Sequence, residues 1–238
     1  MKKTLIPLLA LALSGAAGFH AQAQETVTSV NAVGMVKITV NPGEFTLLSL
    51  PFLVDEESTA EDIFGAVPYG TTIYFWEDNN WVTEIYSEGI PFLGIPDAWE
   101  PGFGRELNHF QRGDGIFIFL PDNSDSHDIT LTGEVPGQST APLTVQNISE
   151  GFSLFGFGYP VPLNISDSRI DLQPEYNDTI FVWNNGWETS IYQEGVPFLG
   201  IEDGWESDFE ISPAGAIFYR TDSANSLSIE KALLYSFP

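Results

Sequence analysis

The chain has 238 residues, of which 43% are hydrophobic and 18 are phenylalanine, so it can bury a sizeable apolar core. It contains no cysteine, which excludes structural disulfides, thiol catalysis, cysteine-based metal sites and a lipid anchor on cysteine. With 33 acidic and only 8 basic residues the net charge is −25, and such a surface repels nucleic acid and anionic membranes. We therefore expect no nucleic-acid partner and no membrane insertion.

The first 23 residues have the pattern of a secretory signal. Two lysines follow Met1, a mostly apolar run covers residues 5–19, and Ala21-Gln-Ala23 matches a cleavage site of the A-x-A kind. The apolar run is too short for a typical transmembrane helix. We therefore expect export to the periplasm, the cell surface or the exterior of a diderm bacterium.

Strand patterns dominate the chain that follows. Residues 36–40 and 45–50 lie on either side of a turn at Asn41-Pro-Gly43, which predicts two strands. Ser58-Thr-Ala-Glu61 has the spacing of a capping box and predicts one short helix, which Pro68 would end.

A β-hairpin is predicted around Glu77-Asp-Asn-Asn80. β-branched and aromatic residues flank this polar turn at 71–76 and 81–86. Further along, the apolar run 116–120 predicts a strand covered on both faces. The alternation at 129–135 predicts a half-exposed strand.

The second half of the chain repeats the first. Residues 88–100 return at 194–206 with ten of thirteen positions identical, which indicates a tandem duplication. We call these two segments the paired loops. All six tryptophans fall into matched pairs: Trp76 and Trp183, Trp81 and Trp187, Trp99 and Trp205.

These patterns predict an all-β protein made of two tandem homologous repeats. Each repeat is expected to be a β-sandwich or barrel-like unit with at most one short helix. We expect the first repeat at 24–137 and the second at 138–238, with a linker at 136–141 and a last strand at 227–235. The two repeats are expected to pack on each other with pseudo-twofold symmetry.

Four short motifs follow one another in the first half. They are Gly43-Glu-Phe-Thr-Leu-Leu-Ser-Leu-Pro51, Thr72-Ile-Tyr-Phe-Trp76, Arg112-Gly-Asp-Gly-Ile-Phe-Ile118 and Ile129-Thr-Leu-Thr-Gly133. Their order resembles a β-rich repeat of secreted and surface proteins of bacteria and archaea. Ser29-Val-Asn-Ala-Val-Gly34 also resembles the mature start of exported two-repeat proteins of Verrucomicrobia-like bacteria, whose function is uncharacterised. The resemblance implies an extracytoplasmic β protein and brings no catalytic residues.

The paired loops supply the candidate ligand-binding residues. An indole ring can cover the apolar face of a sugar while a carboxylate accepts its hydroxyl groups. The candidates are Trp81, Glu88, Asp97, Trp99 and Glu100, with their counterparts Trp187, Glu194, Asp203, Trp205 and Glu206. The alternative is that the apolar middle of each loop packs over its own sheet or against the other repeat. We favour packing, because a buried apolar loop needs no ligand to explain it.

Catalysis is not predicted. Glycoside hydrolysis needs a carboxylate pair, but in so acidic a chain some pair is always available, so the signal has little value. Beyond the signal the histidines are His109 and His127, both in the first half, so no Ser-His-Asp arrangement can occur in both repeats. A secreted glycoside hydrolase that uses Glu88 and Glu194 is the least favoured alternative.

A weak calcium candidate lies in the turn at 122–128. Asp122, Asp125 and Asp128 supply closely spaced oxygen ligands, but the glycine and the distal glutamate of an EF-hand loop are missing. A solvated turn is the favoured interpretation. We expect no other cofactor.

The signal, the duplication and the missing catalytic set together favour one function. We predict an exported, non-enzymatic structural, cell-surface or extracellular-matrix β-repeat protein that acts through its surfaces. Its partners would be a polysaccharide, other surface proteins or copies of itself. The alternative is a carbohydrate-binding module that uses the tryptophans and carboxylates of the paired loops.

Overall fold

The structure, a computed structural model, describes residues 33–136, 146–168, 170–184 and 186–227. The predicted signal, most of the predicted linker and all but the first residue of the predicted last strand lie outside these residues. Within them the chain is nearly all β, with one α-helix, which confirms the predicted all-β class.

The first half of the described chain contains seven strands and one helix. They are β1 (Val33–Val40), β2 (Phe45–Ser49), α1 (Ala60–Phe64), β3 (Thr72–Glu77), β4 (Asn80–Ser87), β5 (Ala98–Pro101), β6 (Gly115–Phe119) and β7 (His127–Glu134). Five strands form an antiparallel sheet in the order β2-β6-β3-β4-β5. Strands β1 and β7 form a separate antiparallel pair.

The second half contributes nine described strands. They are β8 (Gln146–Ile148), β9 (Gly151–Gly156), β10 (Leu163–Asn164), β11 (Thr179–Trp183), β12 (Trp187–Gln193), β13 (Gly204–Trp205), β14 (Glu210–Ile211), β15 (Ala216–Thr221) and β16 (Asn225–Leu227). Five of them form an antiparallel sheet in the order β9-β15-β11-β12-β13. The pairs β8–β16 and β10–β14 lie outside this sheet.

The two five-stranded sheets have the same strand order. Strand β2 corresponds to β9, β6 to β15, β3 to β11, β4 to β12 and β5 to β13, and the pair β1–β7 corresponds to β8–β16. This agreement is what a duplication requires. The homology of the two halves and the boundaries at 137 and 138 stay predictions.

The predicted hairpin forms between β3 and β4. Asp78 and Asn79 occupy its turn with φ angles of 49° and 59°. Asn and Asp tolerate this left-handed region better than other residues with side chains, and two such positions twist a hairpin turn to match its strands. The local sequence is therefore enough to place this turn.

The predicted short helix also forms, but its cap is one residue later than predicted. Thr59, not Ser58, precedes the helix, and the carboxylate of Asp62, not Glu61, accepts hydrogen bonds of 2.8 Å from the backbone N–H and the hydroxyl of Thr59. The predicted register is wrong because both registers carry a hydroxyl residue three positions before an acid. Neither this helix nor any other in the described ranges has the length and apolar content needed to cross a membrane.

Each five-stranded sheet covers its own apolar core. The first core includes Leu48, Ile73 and Ile118, and the second includes Phe155 and Ile217, all fully buried. Strand β6 is buried on both faces, as predicted. Ile118 on one face belongs to the first core, and Phe117 on the other face belongs to a third apolar cluster. That third cluster joins the two halves and shapes the groove described below.

Candidate functional site

The first of the paired loops is held shut by a carboxylate. Asp97 accepts hydrogen bonds from the backbone N–H of Gly89 at 2.8 Å and from the hydroxyl of Tyr69 at 2.8 Å. The backbones of Ile90 and Ile95 pair across the loop. A Cβ at Gly89 would collide with backbone at Ile95, so this close approach requires glycine.

The second loop is closed in the same way. Asp203 accepts from the N–H of Gly195 at 2.7 Å and from the hydroxyl of Tyr176 at 2.8 Å. Each loop contains one 3₁₀ turn, which lies between the two residues whose backbones pair across that loop. The turns are Pro91–Leu93 in the first loop and Pro197–Leu199 in the second. The same closing contacts therefore give the same conformation twice.

These hydrogen bonds change the acidity of the groups that make them. The N–H of Gly89 and the hydroxyl of Tyr69 hold the pKa of Asp97 below its usual value, and the matching donors do so for Asp203. The hydrogen bond to Asp97 raises the pKa of Tyr69 to about 12. Both carboxylates thus hold the loops, which the sequence does not predict; their candidate role in ligand binding stays a prediction.

The apolar tips of the paired loops are exposed. Phe92 is 86% exposed and Phe198 is 85% exposed, and the leucine that follows each is exposed as well. The favoured prediction, that this segment packs over its own sheet or against the other repeat, is therefore wrong. The loop closes on its own backbone, so its apolar side chains project outward.

Trp99 is a core residue. It lies in strand β5, opposite Tyr86 of β4, and is only 4% exposed. Its indole N–H donates to the carbonyl oxygen of Gly65 at 3.2 Å. Its counterpart Trp205 is half-buried and packs on the second core. The prediction that Trp99 presents its ring to a sugar is wrong, because strand β5 holds the indole ring in the core.

The glutamates of the paired loops lie at the surface. Glu100 accepts from the hydroxyl of Ser87 at 3.0 Å, and Glu206 accepts from the side chain of Gln193. Glu88 and Glu194 are exposed. With Trp99 buried, these acids do not form the predicted pairing of a carboxylate with an open indole ring.

The structure instead brings Trp81 and Trp187 to one place. They are 47% and 46% exposed and lie where the two sheets meet. There they line an open groove of about 380 Å³, which we call the aromatic groove. Six of its seven lining residues are aromatic: Phe45, Tyr74, Trp81, Phe117, Trp183 and Trp187.

Reciprocal hydrogen bonds cross this junction between the sheets. The indole N–H of Trp76 donates to the carbonyl oxygen of Phe152 at 2.9 Å, and that of Trp183 donates to the carbonyl oxygen of Phe45 at 2.8 Å. Trp76 matches Trp183 and Phe45 matches Phe152 along the two halves. Each half therefore anchors a tryptophan of the other in the same way, as pseudo-twofold packing would require.

Most of the groove was not predicted. Of its lining, Trp81 and Trp187 were candidates, whereas Phe45, Tyr74 and Phe117 were expected within strands and given no role. A signal was present, because Tyr74 and Trp76 alternate with the apolar residues Ile73 and Phe75 on opposite faces of β3. Such a strand carries two apolar faces, and only one can cover its own core.

Two acidic side chains of the first half were also not predicted: Glu84, which is buried, and Asp114, which is half-buried. Glu84 is 1% exposed; its Oε1 accepts from the N–H of Asn108 at 2.6 Å, and its Oε2 has no hydrogen-bond partner among the described residues. Burial raises the pKa of Glu84, and burial raises that of Asp114 to about 6. The residue at the Glu84 position in the second half is Ser190, so this feature is not duplicated.

The calcium candidate does not form a cluster. The described part of the chain contains no group of three or more acidic or histidine side chains placed to hold a metal ion. Asp128 instead binds Lys37 at 2.6 Å and accepts from the hydroxyl of Thr39 at 2.7 Å. Asp122, Asp125 and Asp128 are therefore not brought together.

Asp203→Ala is expected to loosen one loop and leave the other unchanged. The substitution removes the acceptor of the Gly195 amide, so hydrogen exchange at that amide should become roughly fivefold faster or more. The amide of Gly89 serves as an internal control, because Asp97 still holds it. Amide exchange measured by NMR checks this, and equal exchange at Gly195 in both proteins would contradict the role of Asp203.

Comparison with family models, with curated proteins and with solved structures finds no match for this chain. The resemblance to exported two-repeat β proteins therefore stays a prediction from the motifs. What the chain can do has to be argued from its own surfaces.

Proposed function

We propose that this is an exported, non-enzymatic surface protein that attaches to a partner at the cell surface through the tips of the paired loops. The observation that carries the proposal is the exposure of Phe92 and Phe198 on loops closed by identical contacts. The partner would be another surface protein, a polysaccharide or a second copy of the chain.

The exposed apolar side chains of each tip are contiguous. In the first loop the backbone pairing of Ile90 with Ile95 places two further exposed apolar residues beside Phe92 and Leu93. Exposed apolar groups that are adjacent, and not scattered singly, are typical of interaction sites.

The closing contacts also favour binding. A loop that already has its bound conformation loses less conformational entropy on association than a flexible one. The Asp97 and Asp203 contacts supply that preorganisation at both tips. Two equivalent tips on one molecule would further strengthen attachment to a surface that offers many sites.

The net negative charge of the chain limits which other forces could attach it to a surface. A net charge of −25 opposes non-specific association between copies of the chain and non-specific adsorption to anionic surfaces. Attachment through local apolar contacts is consistent with this charge, whereas attachment through general electrostatic attraction is not. Carbohydrate binding by the loop tryptophans receives less support, because Trp99 is buried.

The test measures attachment of the purified protein to envelopes of the producing cells. Replacing both tip phenylalanines, as Phe92→Ser with Phe198→Ser, should lower the bound fraction at least about tenfold, since two apolar anchors are lost. Thermal unfolding should change little, because both side chains are exposed in the folded protein.

Phe103→Ser is the matched control. Phe103 is fully exposed (108%) and lies outside the paired loops. The control should bind as the unmodified protein does. Equal attachment by the double variant and the unmodified protein would overturn the proposal, as would loss of attachment in the control.

A further inference from the structure

The rings of the aromatic groove are arranged as a cage. The buried ring of Phe117 forms its floor, and three rings stand nearly perpendicular to it: Phe45 at 90°, Trp183 at 84° and Trp187 at 83°. The centroid distances from Phe117 to these rings are 5.7 to 6.1 Å. Trp81, at 66° to Phe117 and half-exposed, closes a fourth side.

The lining restricts the chemistry of an occupant. None of the described residues that line the groove is charged. Its polar side-chain groups are the hydroxyls of Tyr74 and Thr83 and the indole N–H groups of its three tryptophans, of which that of Trp183 already donates to the carbonyl oxygen of Phe45. A sugar would need several convergent polar partners. An anion would be repelled by the net charge of the chain.

The geometry points to a binding site for an organic cation of the quaternary or methylated ammonium class in the aromatic groove. The faces of several aromatic rings attract such a cation, and its methyl groups fill apolar space at little desolvation cost. The acidic surface raises the local concentration of cations near the groove. The volume of about 380 Å³ suits a small ligand. This site is distinct from the paired loops and does not depend on their proposed role.

The test compares a cation with a neutral molecule of the same shape. Choline and 3,3-dimethylbutan-1-ol differ mainly in the charge at the branched centre, so their affinities separate cation–π attraction from apolar filling. We expect tryptophan fluorescence and calorimetric titrations to give choline at least about tenfold tighter binding than the alcohol. Methyl glucoside is titrated as a third probe.

Variants locate the site. Trp187→Ala should weaken choline binding at least about tenfold, and Thr83→Lys should abolish it by placing an ammonium group at the groove while keeping every ring. The lysine variant keeps the test decisive if the alanine variant fails to fold. Phe103→Ala, at a residue that does not line the groove, should bind choline unchanged.

Four results would each overturn the inference. Equal affinity for choline and the alcohol would mean that the groove takes apolar groups without regard to charge. Binding of methyl glucoside without choline would make it a sugar site. No binding of choline, or choline binding that persists in Thr83→Lys, would show that the cage is only the packed junction between the sheets.

Discussion

Phe117→Ala is expected to lower the free energy of unfolding by about 3–5 kcal/mol, which is the usual cost of removing a buried phenylalanine ring. Phe117 is buried at the junction of the two sheets, where its ring contacts Phe45, Trp81, Trp183 and Trp187. The loss should be large because these neighbours come from both halves and cannot all move inward to fill the space.

Urea unfolding followed by circular dichroism and by tryptophan fluorescence measures this effect. Phe103→Ala is the control and should change the free energy of unfolding by less than about 0.5 kcal/mol, because Phe103 is fully exposed. A cost below about 1 kcal/mol for Phe117→Ala would mean that the junction contributes little to stability. The aromatic groove would then lack a rigid floor.

Asp114→Asn is expected to stabilise the protein at neutral pH. Burial raises the pKa of Asp114 from its ordinary value of 3.8 to about 6. Between these two values the folded protein holds a proton that the unfolded chain has lost, so the stability of the unmodified protein falls as the pH rises through this window. Asparagine carries no charge and can still accept the hydrogen bond that Asp114 accepts from the N–H of Gln111 at 2.7 Å.

The size of this gain depends on pH. Above about pH 7 the variant should be more stable by about 1–3 kcal/mol, since each unit of pKa shift corresponds to about 1.4 kcal/mol. Below about pH 4 the two proteins should be equally stable. Urea unfolding at several pH values checks this, and a variant that is less stable than the unmodified protein at about pH 8 would contradict it.

Asp62→Asn is the control of opposite sign. Hydrogen bonds from Thr59 lower the pKa of Asp62, so its charged form stabilises the folded protein above the unfolded value of 3.8, and this stabilisation is lost as the pH falls. Replacing it should therefore destabilise at neutral pH. Both substitutions remove one negative charge, so relief of the general repulsion within the acidic chain should affect stability equally in both. Opposite changes in stability would therefore show that the burial of Asp114 causes its destabilising effect.

The elements that depend on neighbouring residues could be predicted. The alternation in β7 and the polar turn with Asp78 and Asn79 specify a strand and a hairpin through backbone geometry alone. The start of the short helix is predicted to within one residue for the same reason, although the helix ends at Phe64, before the predicted stop at Pro68. The error in its cap shows the limit of local information, since Ser58 and Thr59 offer nearly equal starts.

The role of the paired loops could not be predicted. Their apolar middle allows burial or exposure, and the outcome depends on whether another surface covers it. Asp97 and Asp203 close each loop on itself through tyrosines nearly thirty residues earlier in the chain. Trp99 is buried because β5 pairs with β4, a contact that the proline- and glycine-rich sequence around it did not indicate.

Residue type and spacing along the chain are enough to predict the all-β class, the hairpin, the short helix and the repeated pattern of aromatic residues. Which apolar groups are buried depends on the packing of the two sheets. Trp81 and Trp187 meet in one groove because the two sheets pack through a shared aromatic cluster, while Phe92 and Phe198 stay exposed because nothing described packs over them. Burial depends on contacts between distant segments, and those contacts exist only once the two halves have folded together.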